Sequence, residues 1–177
     1  MILNKIIVLI GYMGSGKTAV GKELSNLMNL PFIDLDTLIE KEENKSIDKI
    51  FSENGELYFR NLENKYLNNI LRGSDIKIIS LGGGTPCYFN AINILNNNKN
   101  IVTVFLRSSA EILAERLFKE IDKRPKIKFL TSKKNLVDYI RKHLFERNQF
   151  YNQSKYVIDT DDKSIISLAY EVKSILT

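Results

Sequence analysis

Short continuous apolar runs alternate along the chain with longer stretches in which apolar positions recur every three or four residues. Ile6-Ile7-Val8-Leu9-Ile10 stops at Gly11, the pattern of a strand buried on both faces, as in a parallel sheet. Val20, Leu24, Leu27 and Met28 follow at helical spacing up to Pro31, which cannot continue a helix. Residues 31–34 read as a second strand. Leu38, Ile39, Ile47, Ile50 and Phe51, interrupted by polar residues 40–45, predict two short helices. Residues 56–71 predict a long amphipathic helix with Phe59, Leu62, Tyr66, Leu67 and Ile70 on one stripe. Three further strands are predicted at 77–81, 101–106 and 156–158, the first running into Gly82-Gly83-Gly84. Helices are predicted around Ile92 and Leu95 and over 109–119, 132–151 and 164–176. The Lys-rich stretch 120–128, with Pro125, reads as a loop. Five strands separated by helices define an α/β domain with a mostly parallel sheet.

Composition narrows the class. The 177 residues suit one domain over 1–177. With 44% apolar and 27% charged residues the balance is that of a globular protein, which excludes disorder of the whole chain. Lys plus Arg number 26 and Asp plus Glu 21, a net charge of +5. That mild excess suits a phosphorylated or carboxylated ligand as well as a nucleic acid and decides nothing alone. A single cysteine, Cys87, excludes an internal disulfide framework and a cysteine-clustered zinc site, and fits a reducing compartment. The apolar run at 6–10 is far short of the ~20 residues of a membrane span. Neither an anchor nor a signal peptide is expected, and a cytoplasmic location is.

Gly11-Tyr12-Met13-Gly14-Ser15-Gly16-Lys17-Thr18 matches G-x-x-x-x-G-K-[ST] in full, between an apolar strand and a helix. Such a loop turns successive backbone N–H groups inward on phosphate, and the helix behind it adds its N-terminal partial charge. Lys17 is placed for the β- and γ-phosphates and the Thr18 hydroxyl for Mg²⁺. A nucleoside triphosphate with Mg²⁺ follows. A guanine-reading N-K-x-D is missing: Leu106-Arg107-Ser108-Ser109 follows the fourth strand, and Asn44-Lys45-Ser46-Ile47-Asp48 puts its aspartate one residue late. A small-molecule kinase is therefore favoured over a regulatory GTPase.

Asp34-Leu35-Asp36 is expected to end the second strand, where i and i+2 side chains share a face. Ligands of open parallel sheets bind beyond the carboxyl ends of the strands. One carboxylate then suits Mg²⁺ and the other a substrate hydroxyl; the competing reading is that Asp36 caps the next helix. Gly82-Gly83-Gly84 either lets backbone approach a ligand or is a flexible connector. Only 7 of the 26 basic residues are arginines. Arg60, Arg124 and Arg147 lie on separate elements, and an arginine fork suits carboxylate and phosphate equally. His143 has no metal-binding neighbour in sequence and reads as structural or exposed. Cys87 reads as a bystander thiol.

Taken in order, GYMGSGKT, D-L-D, G-E with F-R-N-L-E, S-L-G-G-G, the R-P of the loop and E-R-N-Q-F-Y resemble the shikimate kinase family of small, nucleoside-monophosphate-kinase-like P-loop kinases. The resemblance spans nearly the whole chain. It implies the reaction ATP + shikimate → ADP + shikimate 3-phosphate, on the route to chorismate and aromatic amino acids. It implies a three-layer P-loop kinase fold with five parallel strands in order 2-3-1-4-5, shikimate-binding helices over 32–62 and a mobile lid over 119–131. By the same likeness Gly14, Ser15, Gly16, Lys17, Thr18 and Ala19 hold ATP, and Asp36, Arg60, Gly82, Gly83, Gly84 and Arg147 hold shikimate. Thr18 ligates Mg²⁺ directly and Asp34 through water. Lys17, Asp36 and Arg124 are the catalytic set, with Arg124 carried on the lid. Arg116 and Lys163 fall near adenine on a looser match. One departure is that Lys126 and Ile127 follow Arg124-Pro125 where the family often has two leucines. A monomer with no nucleic-acid or membrane partner is expected. The alternatives are another small-molecule kinase, gluconate-type or acting on a nucleotide, and a nucleotide-dependent binding or regulatory module.

Overall fold

The computed structural model describes residues 5–73, 75–121, 127 and 129–176. Strand β1 (Ile6–Ile10) is buried along its whole length, and its alternation divides the core. Ile6, Val8 and Ile10 face one apolar cluster with Leu62, Leu95, Leu113 and Ile140. Ile7 and Leu9 face a second with Val20, Leu24, Leu168 and Val172. Each such side chain removed from water contributes about 1.5–3 kcal/mol, so a strand apolar on both sides is stable only between two helical layers. Helices α1 (Lys17–Met28) and α7 (Ile165–Leu176) cover one side. The other is covered by α3 (Ile47–Arg72), α4 (Ala91–Asn97), α5 (Ala110–Phe118) and α6 (Lys133–Tyr151).

Strands β2 (Phe32–Asp34), β3 (Ile78–Ser80), β4 (Ile101–Arg107) and β5 (Tyr156–Asp159) join β1 in the order β2-β3-β1-β4-β5, all parallel. This is the expected five-stranded order. β1 lies between β3 and β4, so the chain leaves it toward one edge of the sheet and later returns to the other. That reversal opens a crevice at the carboxyl end of β1, where Gly11 to Thr18 lie.

One expectation needs correction. Strand β2 ends at Asp34, and Asp36 lies in the first turn of α2 (Leu35–Glu43). The two carboxylates therefore do not share a strand face. The capping role considered for Asp36 belongs to Asp34, whose side chain accepts from the Thr37 N–H. The short helix and the long helix expected on either side of Gly55 are both present within α3, separated by a kink at that residue (φ 82°, ψ 175°), whose backbone is not helical and favours glycine. A 3₁₀ turn at Thr85–Cys87 leaves no periodicity to read. Arg124, with residues 122–126 and 128 of the expected lid, lies outside the described residues. Ile127, one of the two departures there, is fully buried and belongs to the first apolar cluster. No helix among the described residues is long and apolar enough to cross a membrane.

Candidate active site

The loop after β1 is built for close approach by backbone. Gly14 (φ 80°) and Gly16 (φ 93°) both take positive φ, and Gly16 is the N-cap of α1, so the helix N-terminus opens onto the loop. Lys17 curls back, its Nζ donating to Gly11 O and Tyr12 O at 2.9 Å each. The Thr18 hydroxyl donates to Asp34 Oδ2 at 2.7 Å. Ser15 Oγ is buried without a hydrogen-bond partner. Arg116 Nη1 donates to Gly14 O at 3.2 Å, which brings this arginine to the loop. Lys163, before α7, pairs with Glu171 at 2.7 Å. Ala19 is exposed in the first turn of α1.

Beside this loop lies the turn Gly82-Gly83-Gly84. Each glycine faces a different neighbour. A Cβ on Gly82 would lie 2.4 Å from Glu63 Oε1 and 2.8 Å from Asp36 Oδ1; one on Gly83 would lie 3.3 Å from Met13 N; one on Gly84 would lie 2.5 Å from Arg60 Nη1. The turn is thus a seat for other groups and not a slack connector. It gathers Asp36 from α2, Arg60 and Glu63 from α3, and Arg147 from α6, whose Nη1 donates to Gly83 O at 3.4 Å. The Gly84→Ala variant is expected to push the Arg60 guanidinium aside and raise KM for the acceptor about tenfold with little change for ATP. Steady-state kinetics with each substrate varied checks this.

Arg60 is 3% exposed. Its Nη1 donates to Glu63 Oε2 at 2.6 Å, and its Nη2 and Nε donate to Glu56 Oε1 at 2.8 and 3.2 Å. The guanidinium also stands 4.7 Å from the centroid of the Tyr88 ring. Burial alone would lower its pKa, but the two carboxylates more than offset this and hold it well above the ordinary value. Glu63 is itself buried and takes a second bond, from Thr85 Oγ1 at 2.6 Å. The charge of Arg60 is therefore permanent and its rotamer fixed.

Asp36 is the reverse case. Its Oδ1 is buried with no hydrogen-bond partner. Burial, and then the negative charges of Glu63 and Asp34, push its carboxyl up to about 6, against the pull of Lys17 and Arg60. An orphaned buried carboxylate oxygen in a cleft is what a ligand hydroxyl would satisfy. Burial also pushes the Cys87 thiol up to about 11, which leaves it inert at neutral pH.

Several residues at this site carried no assignment from sequence: Glu56, Glu63, Thr85, Tyr12 and Tyr151. Glu63 had a signal, since F-R-N-L-E sets it three residues after Arg60 on one helix face. Tyr12 and Tyr151 had none. Tyr151 donates to Gly83 O, and the Arg147 guanidinium lies 5.4 Å from the centroid of the Tyr12 ring.

Comparison with known proteins agrees with this geometry. A family description, Shikimate kinase, matches residues 13–177. The shikimate kinase of Flavobacterium psychrophilum is 43% identical over 97% of this chain and 99% of its own length. Among solved structures, shikimate kinase from Bacteroides thetaiotaomicron superposes with a TM-score of 0.88 at 34% identity, covering 97% of this chain and 98% of that one. Shikimate kinase from Acinetobacter baumannii in complex with shikimate gives 0.85 at 28% identity, covering 97% and 92%.

Proposed function

The chain belongs to the shikimate kinase family, and from that premise we propose how this cleft carries out the family's reaction, the ATP-dependent phosphorylation of shikimate. The observation that carries the reading is the triglycine seat, which brings Asp36, Arg60 and Arg147 together next to the phosphate loop. Shikimate is a hydroxylated ring bearing one carboxylate. Arg60 and Arg147 take the carboxylate, for which a planar fork is better suited than a point charge. Asp36 Oδ1 accepts from a ring hydroxyl, and the 3-hydroxyl is the one turned toward the phosphate loop.

The other substrate lies on Gly14 to Ala19, with its phosphates on the loop N–H groups. Lys17 leaves the Gly11 and Tyr12 carbonyls for the β- and γ-phosphates, and Arg116 lies toward the base. We assign Lys163 to the same end of the nucleotide, and Arg124, which lies outside the described residues, to the transferring group. Phosphoryl transfer asks mainly for in-line positioning and neutralised oxygens. Asp36 orients the attacking oxygen and is placed to take its proton.

The donor set at Thr18 and Asp34 fits Mg²⁺: one hydroxyl and one carboxylate, side by side at the loop. Mg²⁺ keeps most of its waters and asks the protein for few oxygen ligands. Because the Thr18 hydroxyl donates to Asp34, its lone pairs are left for the cation. When bound there, the ion neutralises charge on the phosphate oxygens. We place the enzyme in the cytoplasm and expect a monomer.

The test is ADP release with Mg²⁺, with and without shikimate; release that ignores shikimate in folded protein rejects the reading. Asp36 adds a pH prediction. Its carboxyl titrates near 6 in the fold against 3.8 as an ordinary aspartate. Between those values the native state holds the extra proton, so stability falls as pH rises across that interval. The ionised form is the one that accepts the hydroxyl. We expect kcat/KM for shikimate to climb through about pH 6 to a plateau, and Asp36→Asn to lose that limb and most activity. The amide has no charge to bury, so the same variant is expected to gain on the order of 1 kcal/mol at pH 8 in thermal unfolding.

A further inference from the structure

His143 and Arg147 stand one turn apart on α6 and straddle the same side chain. Tyr12 is 1% exposed. Its hydroxyl is 2.9 Å from His143 Nδ1, and its ring lies under the Arg147 guanidinium. We infer that His143 is a positioning residue for Arg147, acting through Tyr12. It accepts the tyrosine O–H and so fixes the ring against which the arginine is aimed. This rests on the carboxylate-binding reading of Arg147.

Three observations carry the inference. The bond of Arg147 to Gly83 O is long, 3.4 Å, at the far end of the useful range, and Tyr151 donates to the same oxygen. Tyr151 also hydrogen-bonds the guanidinium from one side, and the Tyr12 ring is the surface beneath it that helps set where it rests. Second, burial raises the Tyr12 phenol well above its ordinary pKa, so the hydroxyl keeps its proton and can donate to Nδ1. A buried hydroxyl deprived of its acceptor moves to find another, and the ring moves with it. Third, the histidine is itself held in place. Tyr139 packs on it at 4.2 Å between centroids, and Phe129 meets Tyr139 edge-on at 6.0 Å. Tyr12 also passes its backbone carbonyl to Lys17, so one residue of the phosphate loop touches both the donor-side lysine and the acceptor-side arginine.

The experiment compares His143→Leu, His143→Asn, Tyr12→Phe and Arg147→Met in steady-state assays with each substrate varied. His143→Leu fills the space but offers no acceptor. KM for shikimate should rise about three- to tenfold, the range of one net hydrogen bond, with kcat within about twofold and KM for ATP little changed. Asparagine places an acceptor near the Nδ1 position, and His143→Asn should restore KM. Adding Tyr12→Phe to His143→Leu should bring no further rise, since both act through one bond. If Arg147→Met raises KM for shikimate while His143→Leu does not, or if the leucine and asparagine variants behave alike, the positioning role is wrong. If Arg147→Met itself leaves KM unchanged, the carboxylate reading of Arg147 fails, and the role of His143 with it.

Discussion

Lys17→Met is expected to lower kcat by about 10²–10³-fold or more, while the melting temperature barely moves. Methionine keeps the length of the side chain and removes its charge. The lysine ammonium sits at a helix N-terminus, on two backbone carbonyls. That is a poor electrostatic place for a cation in the resting protein and a good one once a triphosphate arrives. Its charge therefore counts for little in stability and for much in the transition state, where loss of one preorganised donor costs about 2.7–4 kcal/mol. The check is ADP release at saturating substrates beside a thermal melt of the same preparation. Retention of more than about a tenth of kcat would remove Lys17 from the phosphate-stabilising role.

Arg60→Met and Arg147→Met should both raise KM for shikimate, about ten- to a hundredfold each, the range of a charged hydrogen bond. They should differ sharply in stability. Arg60 neutralises Glu63, which is 2% exposed. Removing one member of a buried pair strands the other charge and costs about 3–5 kcal/mol, so Arg60→Met should melt many degrees lower. Arg147 has no carboxylate partner among the described ion pairs, and its loss should shift the melt only slightly. A second substitution separates the two effects. Glu63→Gln in the Arg60→Met background removes the stranded charge and keeps a carbonyl for Thr85 Oγ1. Stability should return while KM stays high. Recovery of both together would mean that Arg60 serves only the fold and holds no carboxylate.

The parts of this molecule that obey a period were readable in advance. β1 is apolar on both faces because it is sandwiched, and that alone sets the parallel class. The phosphate loop was legible because its chemistry needs glycine, lysine and threonine at fixed spacing. The acceptor side was readable only through resemblance, since nothing in the spacing of Asp36, Arg60 and Arg147 brings them together. Their meeting depends on tertiary packing around Gly82 to Gly84. The error at Asp36 has a local cause. Asp34 turns the chain by capping α2, and a three-residue strand leaves no alternation from which to place its end. Tyr12 was hidden for a different reason: a buried aromatic in a loop looks like filler until its hydroxyl is seen to meet a histidine 131 positions away.

The triglycine turn has a consequence for how such an enzyme can diversify. A single methyl on Gly82 strikes a carboxylate and on Gly84 a guanidinium, while on Gly83 it presses tightly on the backbone of the neighbouring loop. Drift by small steps is closed at two of the three positions and cramped at the third. New acceptor preferences are more easily sought on α6, where Arg147 has no carboxylate partner among the described ion pairs, than on α3, where Arg60 is tied to buried Glu63 and the two must change together.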